Sequence, residues 1–286
     1  MSLFCDTALA ARIERFDRAL MADATEAVRK RRGDVVRVEI SDGLGLWAGP
    51  DSPMNKVVGL GFENELDRSA LGEYEAAVGT LNSPSQVELC SLARPDIAPI
   101  LCERGYRLMG FENMSGLRLD SPLPQGDAAV DVAPAGDETD DWIDVMVDGF
   151  GTPDRQGNAS HEPGPPPELL RRAMSDFSSV PNFHRFLAHV DGEIAGAGGL
   201  RVDDGIVSLC GAATLPSFRR KGVQTTLLRH RLHWAAQQGC ELAIVTTLPG
   251  SKSQQNVQRV GFRLLYTRAM LVLDAKDQDP KSSPIP

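Results

Sequence analysis

Three cations, Arg219, Arg220 and Lys221, stand immediately before Gly222 in the run TLPSFRRKGVQTTLLRHRLHWAA, residues 214–236. Glycine lets a backbone turn tightly and approach a ligand with no Cβ in the way. From Val223 the apolar residues Val223, Leu227, Leu228, Leu232, Ala235 and Ala236 recur at helical spacing. The first turn of such a helix leaves amide N–H groups without partners at the positive end of its dipole. The strand IVSLCGAA precedes the turn. Together these residues predict a phosphate or pyrophosphate cradle between a strand and a helix, with the three cations beside it. The same residues also describe an ordinary helix start with a solvated basic turn. A Walker A loop is excluded because the run lacks GxxxxGK(S/T). A Rossmann turn is excluded because the preceding strand belongs to an antiparallel meander.

The elements that must position this turn can be read along the chain. Residues 8–32 have helical spacing through Leu9, Ile13, Phe16, Leu20 and Met21. VVRVEI, GLGLWAG and NKVVGLGF read as strands, LDRSALGEYEAAVGTL as helix, SQVELCSL as strand and PDIAPILCERG as a short helix. YRLMGFENMSGLRLD reads as a strand or strand pair. Residues 121–141, rich in Pro, Gly, Ala and Asp, read as a linker. DWIDVMVDGF is then a helix, GTPDRQGNASHEPGPPP a long loop, and PELLRRAMSDF a helix with Pro in its first turn. Residues 184–215 read as a three-stranded meander with DG turns, and GAGGL at Gly196 as a strand with close packing or a bulge. After the cradle helix come the strand ELAIVTT, the short helix SQQNVQRVG and the strands of FRLLYTRAMLVLD. CERGYRLMGFENMSGLRLD in the first half echoes QRVGFRLLYTRAMLVLD in the second. A weak internal repeat of this kind predicts two similarly folded α/β (α+β) domains.

Composition limits the alternatives. The 286 residues carry a net charge of −9, against a general binder of nucleic acid or anionic membrane. No apolar run approaches the roughly 18 residues of a membrane span. The start has no basic segment followed by an apolar one, so no signal peptide is expected and the cytoplasm is the expected location. Cys5, Cys90, Cys102, Cys210 and Cys240 are dispersed with no CxxC, against a disulfide framework and against a metal site.

LPSFRRKGVQTTLL resembles the acyl-CoA binding motif of the GNAT superfamily of N-acyltransferases: Arg or Gln, two residues, Gly, one residue, then Gly or Ala. Arg219, Gly222 and Val223 match, and Gln224 stands where Gly or Ala is usual. IVTTLPGSKSQQNVQRVGFRLLYTR resembles the superfamily's later motif. The resemblance covers residues 128–274. With the linker and the internal echo it implies a GNAT-like N-terminal domain at 1–121 and an acetyltransferase domain at 122–276, and the polar end DQDPKSSPIP reads by itself as a disordered tail at 277–286. Each domain would be a mixed, mostly antiparallel twisted sheet flanked by helices. The first half looks like a degenerate copy, because Phe62, Glu63, Asn64 and Glu65 occupy the turn where a pyrophosphate would sit.

The resemblance further implies that acetyl-CoA is the acyl donor and a small-molecule amine the acceptor, with no metal and a possible homodimer. Pantetheine would pair with backbone near Ala213 and Thr214, and pyrophosphate would sit on the amides of Lys221, Gly222, Val223, Gln224 and Thr225 near Arg219 and Arg220. A backbone N–H near Ala212 or Ala213 would polarise the carbonyl. Ser253 and Asn256 would contact CoA or only cap and solvate their helix. Two usual groups are missing. The strand GIVSLCGAAT has no carboxylate for a general base, and Val257 stands where a Tyr acid is common. His161 and Glu162 in the long loop and Asp148 at the end of its preceding helix are the substitutes available, although the first two read more readily as an exposed loop. Cys210 reads as a core strand residue, His230 and His233 as surface residues, and Tyr266, Thr267 and Arg268 as structural.

Overall fold

The structure, a computed structural model, describes residues 3–120, 123, 126–152 and 166–275. In chain order the elements are α1 (Thr7–Arg32), β1 (Val36–Ile40), β2 (Gly43–Trp47), β3 (Lys56–Val58), α2 (Arg68–Thr80), β4 (Ser85–Cys90), α3 (Ile97–Glu103) and β5 (Arg107–Arg118). There follow β6 (Asp131–Pro134), α4 (Thr139–Gly151), α5 (Pro167–Ser178), β7 (Phe183–Val190), β8 (Glu193–Asp203) and β9 (Ile206–Thr214). After a short 3-10 turn at Pro216–Phe218 the chain ends in α6 (Val223–Gln237), β10 (Leu242–Thr247), α7 (Lys252–Val260) and β11 (Arg263–Leu273). The order of three strands, helix, strand, helix, strand occurs twice, as the internal echo predicts.

Two compact units form, and they do not follow the chain. One is Phe4–Asn113 together with the chain from Leu265 on; the other is Met114–Leu264. This differs from the expected division at 121/122, because β11 completes the first unit. There its order is β1-β2-β3-β4-β11 with the start of β5. The reason is chemical. Leu271 and Leu273 join the core of Ile40, Leu71, Tyr74, Val87 and Leu101. Arg268 enters between two carboxylates of α1, at 2.7 Å from Glu14 and 2.5 Å from Asp17. Tyr266 donates to Glu14 at 2.7 Å. These four side chains are buried, so Tyr266 and Arg268 are structural, as expected.

The second unit has the order β5-β10-β9-β8-β7-β6. One face packs on α6 and α7 through Phe186, Leu200, Val207, Leu227, Leu232, Ala243, Val257 and Phe262. The other packs on α4 through Trp142, Met146, Leu187, Ala197 and Ala213. The stretch read as a linker contains β6, whose four residues pair antiparallel with β7. The long strand expected over NKVVGLGF shortens to the three residues of β3. The tail at 277–286 lies outside the described residues. No helix among the described residues is long and apolar enough to cross a membrane.

Candidate active site

The centre of the second unit's sheet is open. β9 pairs in parallel with β10 only at Ile206–Leu242, Val207–Ala243 and Ser208–Ile244. On its other edge β9 stays paired with β8 out to Thr214. The two central strands therefore part after Ser208. The cause is a bulge: the register shifts between Gly198 and Gly199, which face Ala212 and Cys210, leaving Gly211 as the extra residue. Gly211 has φ +66, in the left-handed region that favours glycine. Gly211 and Thr246 are exposed although both lie on central strands, which marks the slot between them.

Arg231 of α6 holds this bulge. Its guanidinium is 3% exposed. Nη1 donates to the carbonyls of Gly199 at 2.8 Å and Gly211 at 3.0 Å, and Nε to that of Leu227 at 3.3 Å. No carboxylate pairs with it among the described residues, and burial pulls its pKa down to about 10, so it stays charged near neutrality.

Backbone direction follows from the ladder. Leu215 N donates to Ala195 O at 3.0 Å, so Ala213, two residues earlier, also points its N–H and C=O at β8. The backbone groups of Ala212 and Thr214 point into the slot. Of the two positions expected for pantetheine, Thr214 faces it and Ala213 does not.

At its mouth the slot meets the basic turn. Arg220 and Gly222 both have positive φ, +64 and +78, and alternate with ordinary residues to form a concave run of amides. Gly222 is the N-cap of α6 and provides no side-chain cap. Thr226 N donates to Gly222 O at 3.0 Å. Among the described residues the amides of Lys221, Gly222, Val223, Gln224 and Thr225 have no partner. The cations are arranged differently from expectation. Arg219 donates to Thr152 O, to Thr152 Oγ1 at 3.3 Å and to Thr214 O at 3.4 Å, which anchors the turn to the end of α4. Lys221 Nζ lies 5.0 Å above the Phe218 ring. Gln224 accepts from Asn256 Nδ2 at 2.5 Å, joining α6 to α7, while Ser251 caps α7 and Ser253 is exposed on it. Asp127 approaches the turn: its N–H donates to Thr226 Oγ1 at 2.9 Å, and its Oδ2 lies 3.3 Å from where a Cβ on Gly222 would stand.

Of the three residues expected to transfer protons, Asp148 alone is among the described residues. Asp148 is exposed, one turn beyond Asp144, which pairs with Arg171 of α5, while its neighbour Gly149 faces Ala213 of β9. His161 and Glu162 lie outside the described residues. Val257 is a core residue. Cys210 is half-buried, its Sγ 3.5 Å from Ser208 O. His230 is half-buried against Phe186 rather than on the surface, and burial lowers its pKa. His233 Nδ1 lies 2.9 Å from Arg229 O. Sequence reading missed Arg231, Asp127 and Thr247, whose buried hydroxyl at the end of β10 has no partner among the described residues.

The corresponding turn of the first unit is filled from within. The Asp42 carboxylate accepts from the amides of Gly61 at 3.3 Å, Phe62 at 2.6 Å and Glu63 at 3.1 Å. Asp67 caps α2 through Ser69 N and Ala70 N. Glu63 pairs with Arg15, and Glu65 lies 3.9 Å from Arg94.

Comparison with known proteins agrees with this architecture. Residues 153–262 match the sequence model of the Acetyltransferase (GNAT) family. Among solved structures, a GCN5-related N-acetyltransferase from Kribbella flavida superposes with a TM-score of 0.64 at 18% identity, covering 92% of this chain and 95% of that one. A tandem GNAT protein from the clavulanic acid biosynthesis pathway gives 0.59 at 13% identity, over 82% and 79% of the two chains. A GCN5-related N-acetyltransferase from Sphaerobacter thermophilus gives 0.57 at 13% identity, over 95% of each. At these identities the likeness is one of fold. No curated protein sequence matches the chain.

Proposed function

We propose that this chain, which carries a GNAT-family acetyltransferase domain, is an N-acetyltransferase that takes acetyl-CoA as donor and a small-molecule amine as acceptor. The carrying observation is the slot between β9 and β10 that runs from the bulge to the unpartnered amides at Gly222. Pyrophosphate fits those amides and the dipole of α6. The pantetheine arm lies in the slot against the backbone of Thr214, and Ser253 and Asn256 border it from α7. The neutral amine attacks the thioester carbonyl, whose oxygen takes the inward N–H of Ala212. As the C–N bond forms and the C–S bond breaks, the electron pair leaves on sulfur. The proton shed by nitrogen passes to the thiolate directly or through water, which a thiol of modest pKa permits. His161, Glu162 and Asp148 are the groups proposed to take the ammonium's proton beforehand, which leaves the amine neutral for attack. The first unit, with its turn filled by Asp42, supports the fold and binds no CoA. The protein works in the cytoplasm, without a metal, and a homodimer is compatible with this reading.

A second reading rests on one observation: β9 bears no carboxylate and Val257 is buried where an acid would stand. It is an acyl-CoA sensor that transfers nothing. Calorimetry of the full chain with acetyl-CoA, followed by a thiol-release assay over a panel of amines, decides between them. One site per chain with amine-dependent thiol release supports the transferase. Binding without release on any amine supports the sensor. No binding overturns both.

A further inference from the structure

The inner end of the slot is gripped on both faces. On the α4 side, a Cβ at Gly211 would stand 2.6 Å from Met146 Cε and 3.8 Å from Phe150 Cε2. Gly149, between these two side chains on α4, comes so near β9 that its own Cβ would be 2.4 Å from that of Ala213. On the α6 side, a Cβ at Gly198 would stand 3.0 Å from Arg231 Cζ. Met146 is fully buried, whereas Phe150 is 39% exposed at the rim. From Thr214 to Cys210 the strand extends roughly 13 Å. An arm anchored at the Gly222 turn and lying along it ends at the bulge, with whatever it carries facing the Met146 methyl group and the Phe150 ring.

We propose that Met146 and Phe150 form the end wall of the acyl site and restrict the donor to acyl groups of about two or three carbons. This rests on the acyl-CoA reading above. A longer chain meets packed side chains on one face of Gly211 and a hydrogen-bonded guanidinium on the other. It enters only by displacing one of them. Met146 is the stiffer barrier because it is enclosed by the Trp142, Leu187 and Ala197 core. Phe150 is the more easily moved.

The test is calorimetry on the full chain with CoA, acetyl-CoA, butyryl-CoA and octanoyl-CoA, on the wild type, Phe150→Ala and Met146→Ala. The wild type is expected to bind CoA and acetyl-CoA alike and octanoyl-CoA about tenfold or more weakly, the size of an overpacking penalty. Either substitution is expected to bring octanoyl-CoA within about threefold of CoA. Phe150→Ala carries the test alone if Met146→Ala does not fold, since its ring is partly exposed. Octanoyl-CoA binding to the wild type as tightly as acetyl-CoA overturns the wall while leaving the acyl-CoA reading intact. So does an unchanged ratio in a folded Phe150→Ala. Failure of CoA itself to bind overturns the underlying reading and the wall with it.

Discussion

Two turns in this molecule occupy the same place in the repeated order of elements, between a third strand and a helix. One holds Gly61, Phe62 and Glu63; the other holds Arg219 to Gly222. In the first, three amides give their hydrogen bonds to the Asp42 carboxylate, and the helix behind is capped by Asp67. In the second, the amides have no partner among the described residues and the N-cap is a glycine. The strands differ in parallel. β3 pairs with β2 in regular register and meets β4 at a single residue pair, whereas β9 carries the Gly211 bulge and parts from β10 along a slot. An amide run at a helix start is satisfied by the chain, by water or by a ligand. The first unit satisfies its run internally; the second leaves it exposed, open to the anion proposed above. A cavity of about 230 Å³ does lie over the first turn, lined by Arg15, Arg18, Asp42 and Glu63. Its cations are already paired, Arg15 with Glu63 and Arg18 with Glu39.

The hardest blow to this contrast is to give the second turn what the first already has. Gly222→Asp places a carboxylate and a Cβ where pyrophosphate is proposed to sit, at a left-handed φ and 3.3 Å from Asp127 Oδ2. The backbone cost is about 1–2 kcal/mol, within the stability of most domains. Acetyl-CoA affinity is expected to fall by about a hundredfold or more with the circular dichroism spectrum unchanged. Unchanged affinity would remove the cradle. Next comes Arg231→Met, which strips the carbonyls of Gly199 and Gly211 of their donor and costs about 2–4 kcal/mol in a urea melt. If the bulge is what opens the slot, acetyl-CoA binding at a temperature where the variant is folded weakens as well. Full affinity there would show that the strands part without it.

The sequence carried part of this contrast. The turn and its helix were legible because their signals are local: a glycine before an apolar helical stripe, after a basic triplet. Arg231 was overlooked, yet it stands four residues beyond Leu227 and eight beyond Val223, within the buried stripe of α6. An arginine in that register is a signal that could have been read. β6 was hidden because four residues among Pro, Gly and Asp leave too short a period. The placement of β11 was not legible, since it depends on Arg268 finding Glu14 and Asp17 some 250 residues away. Asp42 was likewise invisible: it reads as a hairpin turn residue, and its carboxylate reaches amides 19–21 residues on.

The converse experiment empties the first turn. Asp42→Ala leaves the amides of Gly61, Phe62 and Glu63 without their acceptor, and water reaches them only in part. Thermal and urea unfolding are expected to show a loss of about 2–3 kcal/mol. CoA stoichiometry stays at one per chain, because Glu63 and Glu65 remain at the turn. A second CoA bound by this variant would show that filling by Asp42 is all that separates the two turns.

The smallest effect concerns Asp127, a carboxylate that approaches the open turn. Its backbone N–H holds Thr226 Oγ1 and its Oδ1 accepts from Ala129 N, so the segment's own hydrogen bonds survive in Asp127→Asn apart from the charge. Asp127 and the turn are exposed, so in the dielectric of water a negative charge a few Å from a pyrophosphate opposes it by about 1 kcal/mol or less. Removing the charge should therefore tighten acetyl-CoA about threefold, and the gain should shrink as ionic strength rises and the Debye length falls to a few Å. Two turns that differ only in how far a carboxylate has advanced on the amides would give that sign. Weaker binding in Asp127→Asn would instead make Asp127 a support for the turn, and its likeness to Asp42 a coincidence of position.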